Sequence, residues 1–229
     1  MVIRARLLVL TLILAITAAC RPVQADPPVE SKPAAETGGK IKTVAVLLFE
    51  GVELLDFAGP AEVFIVADRG HAFRVITVAA STQPVKTMGG VTITPDFRYQ
   101  DAPRAEVVVV PGGNLQAVGK PGRDWVKQAA REAEIVMSVC YGALLLGDIG
   151  LLDGLSATTH HWAIEDLKRT APKCRVIEGK RFVDSGKIIT TAGVTAGIDG
   201  APAVPQRGRD DYAARRGQPR AAGRIRAGW

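Results

Sequence analysis

A chain of 229 residues, 47% of them hydrophobic, holds enough apolar material for one compact domain of ordinary size and excludes a wholly disordered chain. The formal charge of +6 invites a nucleic-acid reading, but residues 201–229 carry seven Arg against two Asp and leave only +1 to everything before them, so no nucleic-acid partner is expected for the domain. Three cysteines without framework spacing exclude a disulfide-stapled fold, although a Cys140–Cys174 bridge stays open in an oxidising compartment.

Arg4 and Arg6 precede an apolar run over residues 7–16, followed by Thr17, Ala18 and Ala19 before Cys20. That layout predicts a secretory signal peptide over residues 1–20, too short for a comfortable permanent span. Two exits fit it. Thr17-Ala18-Ala19-Cys20 resembles a bacterial lipobox, with Thr17 where Leu is usual, which would lipidate Cys20; Val23-Gln24-Ala25 suits ordinary cleavage before Asp26. An uncleaved apolar anchor is the bland alternative. Each places the domain outside the cytoplasm, in the periplasm or held at a membrane as a lipoprotein. Residues 21–40, rich in Pro, Ala, Glu and Gly, predict a flexible tether.

The domain is expected over residues 41–200. The nearly continuous apolar run 41–49 predicts a strand buried on both faces of a parallel sheet. Gly59-Pro60 opens a short helical pattern through Ala67, 73–79 predicts a second strand, and 85–94 a hairpin turning at Gly89-Gly90. A buried strand at 106–110 ends in Pro111-Gly112-Gly113, and an amphipathic helix at 125–133 runs straight into a strand at 135–139. Residues 142–152 are apolar all round and predict a buried helix. Short strands follow at 156–159, 175–178 and 187–191, with a helix at 162–169. This alternation predicts an α/β fold, a flavodoxin-like open parallel sheet with helices on both faces, whose ligands collect beyond the strand ends where Glu50, Gly112, Cys140 and His160 fall.

Cys140 lies directly after a strand and before a helix, so its thiol is expected at the positive end of a helix dipole near free backbone N–H groups, which favour thiolate. A buried, inert cysteine is the competing reading. Pro111-Gly112-Gly113 lets backbone amides approach a ligand, or is a plain turn. Asp56, caught among apolar residues, reads as an acid near the thiol or as a helix N-cap. His160 and His161 are adjacent and expected to point apart, so no metal and no other cofactor is expected.

These residues resemble the DJ-1/PfpI superfamily, of the class I glutamine-amidotransferase-like fold, over roughly residues 41–199. The resemblance rests on Leu55-Asp56-Phe57-Ala58-Gly59-Pro60-Ala61-Glu62-Val63, Val110-Pro111-Gly112-Gly113, Ser138-Val139-Cys140-Tyr141-Gly142-Ala143, Gly150-Leu151-Leu152-Asp153-Gly154 with Ala157-Thr158-Thr159-His160, and residues 191–199. It is strongest to the branch with isonitrile hydratase and the amidase-like sensor domains of AraC-type regulators. The resemblance implies Cys140 as nucleophile, Asp56 as its acid, Gly112 and Gly113 with the Tyr141 amide as oxyanion and substrate pocket, and His160 near the thiol. It also implies a homodimer. Tyr141 stands where isonitrile hydratase has Thr, which argues against isonitrile hydration itself, and where the peptidase-like members have His, which removes their triad.

The function expected is a cysteine-dependent hydratase or amidase-like hydrolase acting on a small electrophilic substrate, or else a non-catalytic sensor built on the same pocket. Past Gly200 the pattern stops. Of residues 201–229, 21 are Ala, Arg, Gly or Pro, so this basic segment is expected to lack the family's closing helix. Such a break is what a reading-frame shift in a GC-rich gene would produce; a basic tail for anionic lipid or nucleic acid is the rival.

Overall fold

The computed structural model describes residues 41–204. The expected leader, tether, lipidated Cys20 and the basic segment beyond Val204 lie outside the described residues.

Eleven strands and five α-helices alternate along these residues. The main sheet has the order β10 (Phe182–Ser185), β11 (Ile188–Thr191), β7 (Ile135–Val139), β6 (Val107–Val110), β1 (Lys42–Leu47), β2 (Phe73–Ala79), β5 (Phe97–Arg98). Every neighbouring pair is parallel except β10 with β11. β6 is four valines and β7 is Ile-Val-Met-Ser-Val, and every residue of both is buried, as strands covered on both faces require. Register sets apolar residue against apolar residue: Val44 pairs with Val107, and Val108 with Val136.

The chain runs outward from β1 to β2 and β5, then returns to place β6 on the other side of β1. That reversal makes a crevice at the carboxyl ends of β1 and β6, where open α/β sheets bind ligands. The hairpin of β3 (Val85–Lys86) and β4 (Thr92–Ile93) stands beside it, bridging Val52 through Thr87. β8 (Ser156–Ala157) and β9 (Arg175–Val176) form a separate parallel pair.

Four expectations change. Helix α1 spans Leu54–Val66, so Gly59 and Pro60 lie inside it rather than opening it. Pro60 has no N–H to return to the Asp56 carbonyl, a local loss that burial of Phe57, Gly59, Pro60 and Phe64 offsets. Helix α2 (Gly119–Glu132) begins before the amphipathic stretch, and helices α3 (Gly142–Asp148) and α4 (Ile164–Thr170) pack against each other. Strand β10 was not foreseen. Helix α5 (Thr195–Gly200) packs on α1, and Ala201 and Val204 are buried in the core, so apolar packing continues past the expected Gly200 boundary.

α3 starts hard against the end of β6. A Cβ at Gly142 would overlap the Val110 carbonyl oxygen and approach within 2.9 Å of its carbon. Backbone cannot rotate away as a side-chain tip can, so Gly142→Ala should cost about 3 kcal/mol. Urea denaturation followed by circular dichroism checks this; an unchanged midpoint would show that the elbow has slack.

Candidate active site

Cys140 is the single residue between β7 and the Tyr141 N-cap of α3, and it turns the chain with φ 57, a left-handed conformation rare for anything but glycine. Two contacts hold the turn: the Cys140 N–H donates to the Thr191 carbonyl (3.1 Å), and Thr159 Oγ1 donates to the Cys140 carbonyl (2.8 Å). Both Cys140 and Cys174 are free thiols.

Asp56 is not a helix cap. It sits in the first turn of α1 with no solvent exposure, its carboxylate turned into the crevice. The Gly112 N–H donates to Oδ2 (3.1 Å), the Val194 N–H donates to Oδ1 (2.8 Å), and the Cys140 thiol donates to the same carboxylate. One buried group thus ties together α1, the loop after β6, the elbow after β7 and the loop after β11. Val194 is itself bent to φ 46 and ψ −108, a strained geometry for a β-branched residue.

Glycines make room for this. A Cβ at Gly112 would lie 2.8 Å from Asp56 Oδ2, 2.9 Å from the Tyr141 nitrogen and 3.0 Å from Cys140 Cβ. A Cβ at Gly193, where φ is 105, would lie 2.9 Å from the Cys140 sulfur. Gly193 and Val194 complete the site; nothing in their residue types points to it, although they lie within a run of small residues that the resemblance includes.

The electrostatics reverse the expected thiolate. Burial first, then repulsion by the Asp56 carboxylate, push the Cys140 thiol up to about 12; the Tyr141 N–H facing the sulfur opposes this without prevailing. Burial also lifts the Asp56 carboxyl above its ordinary value, against the pull of the Val194 and Gly112 N–H bonds. The resting pair is therefore a neutral thiol donating to a carboxylate with raised proton affinity.

Of the expected oxyanion donors, the Gly112 N–H is engaged by Asp56. The Gly113 N–H takes no part in its own bridge to Val52, whose bonds run from Glu53 N to the Gly112 oxygen and from Asn114 N to the Gly51 oxygen. The Tyr141 N–H is the backbone amide that acts on the Cys140 sulfur. His160 stacks on Tyr141 with centroids 5.8 Å apart, while its Nδ1 accepts from the Trp162 N–H. It is thus placed beside Tyr141 rather than bonded to the sulfur. His160 and His161 do not diverge as expected; their rings lie 4.2 Å apart. Among the described residues no group of His, Cys, Asp and Glu is gathered to hold a metal ion. Glu50 stays exposed at the rim, accepting from the Lys86 N–H.

The DJ-1/PfpI family model matches residues 42–204. The chain is 36% identical over 168 residues to isonitrile hydratase of Pseudomonas putida, covering 71% of this chain and 70% of the enzyme. It is 30% identical over 157 residues to the HTH-type transcriptional regulator CdhR of Pseudomonas aeruginosa, covering 67% of this chain but 46% of the regulator. Among solved structures, a ThiJ/PfpI family protein from Pseudomonas syringae superposes with a TM-score of 0.67 at 24% identity, covering 91% of this chain and 86% of that one, and shares its fold.

A thiol held neutral by burial and a neighbouring carboxylate should alkylate with iodoacetamide at a rate still rising beyond pH 10. Asp56→Asn removes the repelling charge, so its profile should shift to lower pH and its rate at pH 8 should exceed the wild type's. Peptide mass spectrometry across pH reads both. A wild-type plateau near pH 8.5 would contradict the electrostatic account.

Proposed function

The chain belongs to the DJ-1/PfpI family, and from that membership we propose that it is a cysteine-dependent hydratase or hydrolase acting on a small electrophilic molecule. The observation that carries the reading is the contact between the Cys140 thiol and the buried Asp56 carboxylate beneath backbone amides. As the sulfur bonds to an electrophilic carbon, its proton passes to Asp56, and the Gly113 and Tyr141 amides face the negative charge formed on the substrate. Asp56 then returns the proton to the substrate. With an isonitrile or a reactive carbonyl, water then adds to the same carbon, the carbon–sulfur bond breaks and the thiol is restored; with an amide the returned proton goes to the nitrogen, the amine leaves as the carbon–nitrogen bond breaks, and water hydrolyses the remaining thioester to the acid and the free thiol. No electrons are gained or lost overall. Amides, reactive carbonyls and isonitriles all fit this sequence of steps; Tyr141 beside the thiol favours the first two over the last.

A second reading is a small-molecule sensor or binding module on the same pocket, and the high proton affinity of Cys140 favours it. Turnover separates the two. Cys140→Ala should abolish it, and Asp56→Asn should lower kcat by about 10²–10⁴-fold, measured on a panel of small amides, aldehydes and isonitriles. Full activity in Cys140→Ala on every substrate the wild type accepts would remove the enzyme reading.

The same reading has the domain act outside the cytoplasm, supported by the charged-then-apolar pattern of residues 1–20, and as a homodimer, which rests on the family resemblance alone. Intact-mass spectrometry of protein from membranes should give an N-terminus at a diacylglyceryl-modified Cys20. An unmodified Met1 start would refute export by this route.

A further inference from the structure

Among the described residues, the two most exposed large apolar side chains are Trp162, at 76%, and Met88, at 65%. Both connect to the segments around Cys140. The Met88 N–H donates to the Val52 carbonyl (3.0 Å), and Val52 bridges Gly113. On the other side, the Trp162 ring meets His160 edge-on with centroids 5.1 Å apart, and His160 stacks at 19° on Tyr141, the residue after the thiol. His161 packs on both His160 and Trp162. A row of rings therefore runs outward from the reactive sulfur into solvent. Folding gains little from leaving an indole this exposed, since the hydrophobic effect rewards only area removed from water.

Charge narrows the ligand. The ionisable side chains that act on Cys140, Asp56 and Tyr141 are Glu53, Asp166 and the site's own groups, with no Lys or Arg among them. Asp166 is paired with Arg169, and burial together with His161 keeps His160 toward its neutral form. Among the described residues, the ionised side chains that act on the site, Glu53 and Asp56, would repel an anionic substrate.

We propose that Tyr141, His160 and Trp162 form the binding wall for the substrate's body, and that the site takes neutral molecules with a flat, unsaturated group beside the electrophilic carbon. Tyr141 and Trp162 are specificity residues in this arrangement, and Cys140 performs the bond-making. The proposal rests on the reading of Cys140 as nucleophile.

The test is the second-order rate of Cys140 alkylation in the full chain at pH 9 by iodoacetamide, N-phenyl-iodoacetamide, N-cyclohexyl-iodoacetamide and iodoacetate. Each rate is divided by that of the same reagent with glutathione. The phenyl reagent should exceed the cyclohexyl one by about three- to tenfold, the range of aromatic pairing beyond area burial, and iodoacetate should be slowest. Trp162→Ala should bring the phenyl-to-cyclohexyl ratio toward one, while Ile65→Ala, at an exposed site on α1, should leave it as in the wild type. A wild-type ratio of one, or a ratio unmoved by Trp162→Ala, would overturn the proposal. So would a Trp162→Ala protein whose ratio is unchanged but whose mass by light scattering falls, which would make the wall an interface between copies. Labelling of Cys174 with none at Cys140 by any reagent is a different failure: it would remove the nucleophile reading, and the wall's role with it.

Discussion

The Asp56 carboxylate has lost its water, and the protein replaces that water with two backbone N–H groups and a thiol. A buried carboxyl without such partners would cost several kcal/mol, so each donor is under pressure to stay where it is. The arrangement of the crevice follows. The loop after β6 must bring Gly112 close enough to donate, which forbids a side chain there. The loop after β11 must twist Val194 into a strained conformation to present its N–H, and Gly193 must pass over the sulfur without a Cβ. The carboxylate is therefore both a chemical group and the fastener that joins four separate segments.

Two effects compete for the thiol's proton. The start of α3 and the Tyr141 N–H favour thiolate, but α3 has seven residues and a helix terminus contributes only about 0.3–1 kcal/mol at ordinary sites. Each pKa unit is worth about 1.4 kcal/mol, and burial of an ionisable group moves it by up to about 3–5 units. Desolvation therefore prevails, with Asp56 adding to it. The dipole argument is right in sign and too small in size. The resting thiol is therefore neutral, with the Asp56 carboxylate beside it.

The strands buried on both faces were legible because continuous apolar runs of β-branched residues have few other uses: β1, β6 and β7 are where their runs are. Strand β10 was not, because it alternates exposed and half-buried positions and its partner lies across a tight turn at Gly186. The start of α1 was obscured by Gly59-Pro60, which locally reads as an opening and is overridden by packing. Cys140, Asp56 and the glycines were visible as residue types in suggestive places. Their mutual contacts were not: Asp56 reaches Gly112 across 56 residues and Val194 across 138. Only the ordered set of family motifs implied that these positions meet.

The loop carrying Gly193 and Val194 is the last part of the site to be synthesised, and it covers the sulfur. A nascent chain that has emerged only as far as β10 presents Cys140 without that cover and without the Asp56 contact in its final form. At that stage the thiol has the ordinary acidity and accessibility of an unfolded cysteine, far more open to stray oxidation or alkylation than in the finished protein. Chemical protection of the Cys140 thiol is thus a product of completing the chain, and a truncated or slowly folding copy would leave that thiol open to its surroundings.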